Sequence, residues 1–296
     1  MVFRPVQISD KDRYEDLFFE YGNKGCELSF ANLILWGERN ISFENGHIAL
    51  YSCFDGRWYY SFHFGNGDKN QLIDAIITDA EEKGITAVIT GVYDDEKAFL
   101  EQNYPGKFEI STSRGSYDYI YSIDDLADLS GKKYHKKRNH LSQFKKSCPD
   151  YQVQPITREF LPQIAEMAEN WYANRMLEAP DADFEMERVA LRRALENYDA
   201  LGMDGIALIC DGQIIGFTMA SRMSRDTLDV HFEKAVTNIN GVYAAVNYEF
   251  ARYARVKYPD VKFLDREEDM GIEGLRKAKE SYYPHHLTVK YRAQKI

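Results

Sequence analysis

The spacing of apolar residues changes period repeatedly along this chain, and each change marks an element. Phe3 to Ile8 reads as a short strand. A helix is expected from Ser9, because Ser9 and Asp12 stand at capping-box spacing and Tyr14, Leu17, Phe18 and Tyr21 recur at helical intervals. His47 to Cys53 and Trp58 to Phe64 read as hairpin strands turning through Asp55 and Gly56. A helix near Lys69 to Lys83 ends at Gly84, which accepts the left-handed conformation of a helix C-terminus. A buried strand at Ala87 to Val92, a helix near Asp95 to Asn103 and strands at Phe108 to Thr112 and Tyr117 to Ser122 follow.

The same order then recurs. A strand at Tyr151 to Ile156 leads into a helix near Arg158 to Arg175, with Ile164, Met167, Ala168 and Trp171 on one face, and into a second helix near Phe184 to Leu201. Gly205 to Cys210 and Gln213 to Ala220 form a hairpin through Asp211 and Gly212, and Thr227 to Val236 is a third strand. A helix at Val242 to Lys257, a strand at Val261 to Asp265, a helix near Gly271 to Tyr282 and a strand at Leu287 to Tyr291 close the series. This order predicts a mixed α/β (α+β) protein rather than strict βαβ alternation. The repetition predicts two similar domains, residues 1–128 and 150–296, joined by a helix at 129–149.

A length of 296 residues suits two domains of about 100–200 residues each, and 44% hydrophobic against 28% charged residues is a folding composition. The chain lacks an apolar run of the roughly 18 residues that cross a bilayer and lacks a signal-type stretch, so a cytoplasmic protein without membrane insertion is expected. Cys26, Cys53, Cys148 and Cys210 lie far apart with no C-x-x-C, which indicates reduced thiols. The histidines lack paired metal spacing and no H-E-x-x-H occurs, so no catalytic metal is expected.

The net charge of −10 hides an island. Lys132 to Lys146 holds seven Lys/Arg, two His and no acid, and the rest of the chain has 30 basic against 47 acidic residues, or −17. A general polyanion coat is thereby disfavoured, while a local phosphate site is not. Tyr134, Leu141 and Phe144 suit one apolar face of a helix whose other faces expose Lys133, Lys136, Lys137 and Arg138. Those cations suit coenzyme A phosphates or an RNA end, and equally suit docking on acidic neighbours.

Two further stretches carry candidate chemistry. Val236, Thr237, Asn238, Asn240, Gly241, Val242 and Tyr243 span a strand-to-helix turn, where free N–H groups can hold an anion and Gly241 would let a phosphate approach. An ordinary turn capped by Thr237 or Asn238 accounts for the same residues. Asp265, Glu267, Glu268 and Asp269 crowd the end of a buried strand, the place where open α/β sheets put ligands. Arg276 and Lys279 share a helical face suited to gripping a carboxylate or phosphate, and a solvated salt-bridge cluster explains the pattern as well. His231 and Glu233 lie on one side of their strand, and Tyr282, Tyr283, His285 and His286 are possible proton donors beside the bend at Pro284.

The segments Leu129 to Phe144, L-S-G-K-K-Y-H-K-K-R-N-H-L-S-Q-F, and Asp265 to Pro284, D-R-E-E-D-M-G-I-E-G-L-R-K-A-K-E-S-Y-Y-P, resemble the family named for the C-terminal catalytic part of lysyl-phosphatidylglycerol synthases. The resemblance covers nearly the whole chain. It implies two tandem domains of the acyl-CoA N-acyltransferase (GNAT) fold, each a mixed, mostly antiparallel sheet flanked by helices, with the active site in the second. It places the coenzyme A pyrophosphate turn at Val236 to Tyr243, where only Gly241 of the usual glycine signature is present, and it places Ala278 at the position of a frequent general-acid tyrosine. Tyr282 or Tyr283 would then substitute, or the mechanism needs no such acid.

Together these readings suggest an acyl- or aminoacyl-transferase that takes its acyl group from acyl-CoA or aminoacyl-tRNA and gives it to a small-molecule or peptide amine or hydroxyl. Asp265, Glu267 and Asp269 are its candidate bases, with Glu233 in reserve, and Tyr282 its candidate acid. Arg276, Lys279 and the 236–243 turn would hold the donor's phosphates, and Lys133, Lys136, Lys137 and Arg138 a tRNA. The alternatives are a noncatalytic binder of coenzyme A or nucleotide, and an aminoacyl-tRNA-dependent lipid-modifying enzyme.

Overall fold

The computed structural model describes residues 1–22, 25–44, 46–54, 56–178 and 184–296. The chain forms two compact units, one of Met1–Asp118, Glu268–Glu273 and Leu287–Ile296, the other of Tyr119–Glu267 and Gly274–His286.

The first unit contains β1 (Arg4–Pro5), α1 (Lys11–Tyr21), α2 (Phe30–Leu35), β2 (Glu38–Glu44), β3 (His47–Phe54) and β4 (Arg57–Gly65). It continues with α3 (Lys69–Glu82), β5 (Val88–Val92), α4 (Asp94–Asn103) and β6 (Phe108–Thr112). The second contains β7 (Asp118–Ser122), α5 (Ile123–Asp128), α6 (His135–Ser147), β8 (Gln152–Pro155), α7 (Leu161–Glu178), α8 (Glu185–Glu196) and β9 (Asp204–Cys210). After these come β10 (Gln213–Arg222), β11 (Thr227–Ala235), α9 (Val242–Lys257), β12 (Phe263–Asp265), α10 (Glu273–Glu280) and β13 (His286–Thr288), and the chain ends in β14 (Tyr291–Lys295), which belongs to the first unit.

Each sheet has seven strands, in the orders β1-β2-β3-β4-β5-β14-β6 and β8-β9-β10-β11-β12-β7-β13. The orders match position by position: consecutive antiparallel strands, one parallel pair, and a sixth place filled out of sequence by β14 or β7. This exchange shifts the expected boundaries. The first break falls after Asp118 rather than at 128, 129–149 belongs to the second unit, and the C-terminal strand returns to the first.

Local chemistry explains most elements. Asp211 (φ 51°) and Gly212 (φ 76°) are both left-handed, the requirement of a two-residue hairpin that matches strand twist, and they set Gln213 opposite Cys210. The other expected hairpin places Phe54 opposite Arg57; its turn residue Asp55 lies outside the described residues. The start of α1 differs from the Ser9–Asp12 expectation. Asp10 pairs with Arg4 and accepts from Gln7 N–H (2.9 Å), so a short 3-10 turn over Ile8–Asp10 precedes the helix. The expected strand from Leu287 to Tyr291 is broken at 289–290 into β13 and β14.

Tyr60, Phe62, Ile73, Ile76 and Ile89 are buried in the first core, and Phe217, Phe232, Val246 and Phe250 in the second. Each such side chain stabilises its unit by about 1.5–3 kcal/mol relative to exposure. The parallel pairs are short. β4 meets β5 only at Tyr60–Ile89 and Ser61–Thr90, and β11 meets β12 only from Thr227–Phe263 to Asp229–Asp265. Beyond Asp229 the rest of β11 has no ladder with β12, and the strand then turns into α9. Among the described residues no helix is long and apolar enough to cross a membrane.

Candidate functional site

The turn from β11 into α9 has two unusual features. Gly241 is left-handed (φ 82°) and serves as the helix N-cap, and no side chain caps this end. A Cβ at Gly241 would lie 2.1 Å from the carbonyl oxygen of His140, so glycine is required by the close approach of α6 as well as by the backbone angle. The first N–H groups of an α-helix have no intrahelical acceptor, and here they open on a cavity of about 340 Å³. The wall is built by Val236, Thr237, Ile239, Asn240, Gly241, Val242, Tyr243 and Ala244 from the turn and helix, by Lys137 and His140 from α6, and by Tyr282.

The α6 side of this wall follows from helical spacing. Tyr134, Leu141 and Phe144 are buried, as the stripe predicts, which leaves Lys137 and His140, three residues apart, to share another face. Lys137 Nζ stands 3.5 Å from the centroid of the Tyr282 ring. Burial, reinforced by the Arg266 guanidinium and opposed by Glu233, lowers the Lys137 pKa to about 8. Arg266 donates to Glu233 Oε1 (2.9 Å) and lies over the Tyr282 ring at 5.1 Å. Burial raises the Tyr282 pKa, so the phenol stays protonated at neutral pH; its main-chain carbonyl accepts from Tyr134 Oη (3.0 Å). Trp171 Nε1 donates to Tyr243 Oη (2.9 Å), which fixes that ring at the start of α9. An ammonium, an imidazole, a phenol and free main-chain N–H groups thus face one space, a combination able to hold phosphate and move a proton.

The expected site residues separate into three sets. Val236, Thr237, Asn240, Gly241, Val242, Tyr243, Lys137 and Tyr282 line the cavity, while Asn238 is exposed and outside its wall. Ile239 of the same turn lines it too, and His140 and Ala244 join them unforeseen, although His140 stands in the basic stretch at helical spacing from Lys137. Glu233 reaches the group through Arg266. The remaining cations and acids are placed elsewhere. Lys133 pairs with Asp125 (3.0 Å), Arg138 donates to the carbonyls of Leu129 and Gly131, and Lys136 is exposed. Lys279 is not a surface grip: it is buried, and its ammonium donates to the Arg266 carbonyl (2.5 Å). Arg276 is half-buried, and Ala278 is exposed.

Asp265 is fully buried and its Oδ1 accepts from Glu267 N–H (2.7 Å), so it shapes the turn that Glu267 (φ 55°) makes. Asp269 belongs to the first unit, where it accepts from Gly271 N–H (2.8 Å) and pairs with Arg114 (3.4 Å). Neither lines the cavity. The excess of acid after β12 is therefore in large part turn chemistry, which local sequence could not distinguish from general bases.

Comparison with known proteins agrees with this architecture. Residues 18–294 match the family model described as "Phosphatidylglycerol lysyltransferase, C-terminal". An uncharacterised protein of Mycoplasmoides gallisepticum is 26% identical over 210 residues, which span 69% of this chain and 65%, just under two thirds, of that protein. A crystal structure of a conserved protein of unknown function from Bacteroides thetaiotaomicron is 34% identical, with a TM-score of 0.94 over 99% of both chains. L-PGS from Bacillus licheniformis shares the fold at 16% identity, with a TM-score of 0.66 over 97% of this chain and 92% of that one. A tandem GNAT protein from the clavulanic acid biosynthesis pathway shares it at 10% identity, with a TM-score of 0.52 over 99% and 98%. Both units are thus GNAT-like, in tandem.

Proposed function

Because the chain belongs to the phosphatidylglycerol lysyltransferase C-terminal family, we propose that it is an aminoacyl-transferase whose donor is an aminoacyl-tRNA held at the start of α9. The observation that carries this reading is the uncapped helix N-terminus facing a cavity flanked by Lys137 and His140. A terminal phosphate of the donor accepts from the N–H groups of Val242, Tyr243 and Ala244, and the Lys137 ammonium adds a mobile counter-charge. The exposed cations of α6, Lys136 among them, continue the positive surface along which an RNA end can lie.

The transfer balances simply. The acceptor's amine or hydroxyl attacks the ester carbonyl carbon, the carbonyl oxygen takes up negative charge, and the bond to the donor's ribose oxygen breaks. One proton leaves the nucleophile and one is returned to the departing oxygen. Lys137 stays an ammonium where it holds phosphate, so the first passes to solvent, and the protonated phenol of Tyr282 can supply the second. Glu233 and Arg266 set the charge around both.

A second reading, transfer from acyl-CoA, rests on the same cavity and on the GNAT architecture. One experiment separates the two. The protein is incubated with tRNA charged with labelled amino acids, or with labelled acyl-CoA, beside a mixture of amine, peptide and lipid acceptors. The proposal expects label to leave the tRNA. Consumption of acyl-CoA alone supports the second reading, and consumption of neither supports a noncatalytic binder.

A further inference from the structure

Away from the cavity wall, the second unit buries another group of polar side chains. Asp229 and His231 are alternate residues of β11, so they share one face, and Glu267 follows the neighbouring β12. The imidazole is fully buried. Its Nε2 lies 2.8 Å from Ser221 Oγ, while its Nδ1 has no hydrogen-bond partner and is aimed between Asp229 Oδ2 (3.6 Å) and Glu267 Oε1 (3.4 Å). One ligand atom from each of the three residues lies within 4.8 Å of the others.

We infer that Asp229, His231 and Glu267 form a site for a divalent transition-metal ion of the zinc class. Three observations support it. The buried Nδ1, without a hydrogen-bond partner, faces two carboxylate oxygens, a place that a cation can occupy. The spacing fits such an ion: ligands about 2.0–2.1 Å from tetrahedral zinc are about 3.3–3.4 Å from one another, close to the 3.4 and 3.6 Å separations here. The far ring nitrogen, Nε2, is already held at 2.8 Å by Ser221 Oγ, the usual arrangement behind a metal-bound imidazole.

A contrasting group in the first unit shows what a cluster looks like when the chain supplies its own cation. There Glu27, Asp118 and Glu268 converge on the Lys290 ammonium at 2.6, 2.7 and 2.8 Å. In the second unit the atom at the centre is a ring nitrogen, a group able to ligate a metal ion. Two oxygens and one nitrogen leave a fourth position, and an ion there would fasten Glu267, whose φ of 55° is strained for a side-chain-bearing residue, to β11. None of the three residues lines the α9 cavity, so this site stands or falls independently of the donor reading.

The test uses the full chain stripped of metal and titrated with Zn²⁺ alone against a chromophoric chelator, with Co²⁺ in parallel for its visible spectrum. The expected result is one ion per chain with a tetrahedral Co²⁺ spectrum and a Zn²⁺-dependent rise in melting temperature. His231→Ala and Glu267→Gln should weaken binding by more than about 100-fold, and Ser221→Ala by about 10-fold. Glu267→Gln is nearly isosteric at a half-buried position, so its metal-free melting temperature should match the parent and separate lost binding from lost folding. A joint His285→Ala and His286→Ala variant removes the adjoining imidazoles, whose Nδ1 atoms are 2.9 Å apart, and should bind as the parent does. No binding, binding indifferent to Glu267→Gln and His231→Ala, or binding lost with His285 and His286 would overturn the inference.

Discussion

The two units make the same turn, from a fourth sheet position into a helix, and finish it differently. In the first, Asp68 caps α3, its carboxylate accepting from Asn70 N–H (2.8 Å), and an anion arriving there would meet a negative charge. In the second, Gly241 holds the corresponding place, no side chain caps α9, and the N–H groups face a cavity. The buried polar clusters differ in the same sense: Lys290 answers three carboxylates in the first unit, while Lys137 in the second is displaced toward a lower pKa beside Arg266. On the proposed reading, the first copy of the turn closes its helix end with its own side chain, and the second leaves its helix end to a ligand. On that reading shared architecture does not decide which half binds, and the cap does.

The contrast can be broken first at Lys290. Lys290→Met leaves Glu27, Asp118 and Glu268 buried without their ammonium, and should cost about 3–5 kcal/mol of stability in urea unfolding. Donor binding, measured on the protein that remains folded, should not change. Gly241→Ala comes next. Left-handed strain and the His140 carbonyl together should cost about 2–4 kcal/mol and remove donor binding. Gly84→Ala is its control, because Gly84 is also left-handed (φ 68°) but has nothing within 4 Å of a built Cβ, so strain of about 1–2 kcal/mol is the whole expected cost. The smallest effect is at the capped helix. Asp68→Ala should lower stability by about 1 kcal/mol, read as a small shift in the urea midpoint, with donor affinity unaltered.

Much of this was legible in the sequence, for reasons that also mark where legibility stopped. The Asp211–Gly212 hairpin and the bounds of α9 were readable because turn chemistry and helical periodicity act over a few residues. The turn at 236–243 stands out because it lies between a strand and a helix, and the structure lines a cavity with most of it. The placement of β7 and β14 in the sixth position of each sheet was not readable, since pairing over such separations leaves no local periodic mark. Lys279 was misplaced for a related reason: i,i+3 spacing says which residues share a face but not whether that face is buried. The Asp229–His231–Glu267 group gave only a faint signal, alternate polar residues on a strand with acids after its neighbour, because the fold alone joins them.

The central claim is that the open end of α9, with Lys137, binds the phosphates of the donor. Its most direct measurement is the affinity of charged tRNA, beside coenzyme A, for the parent protein, Lys137→Met and Asp68→Ala at matched salt, from about pH 7 to pH 9. The account predicts saturable binding of charged tRNA that falls as pH rises through about 8, where Lys137 loses its proton. It predicts about tenfold weaker binding and a flattened pH profile in Lys137→Met, and parental binding in Asp68→Ala. Equal affinity and an equal pH profile in all three proteins would contradict it.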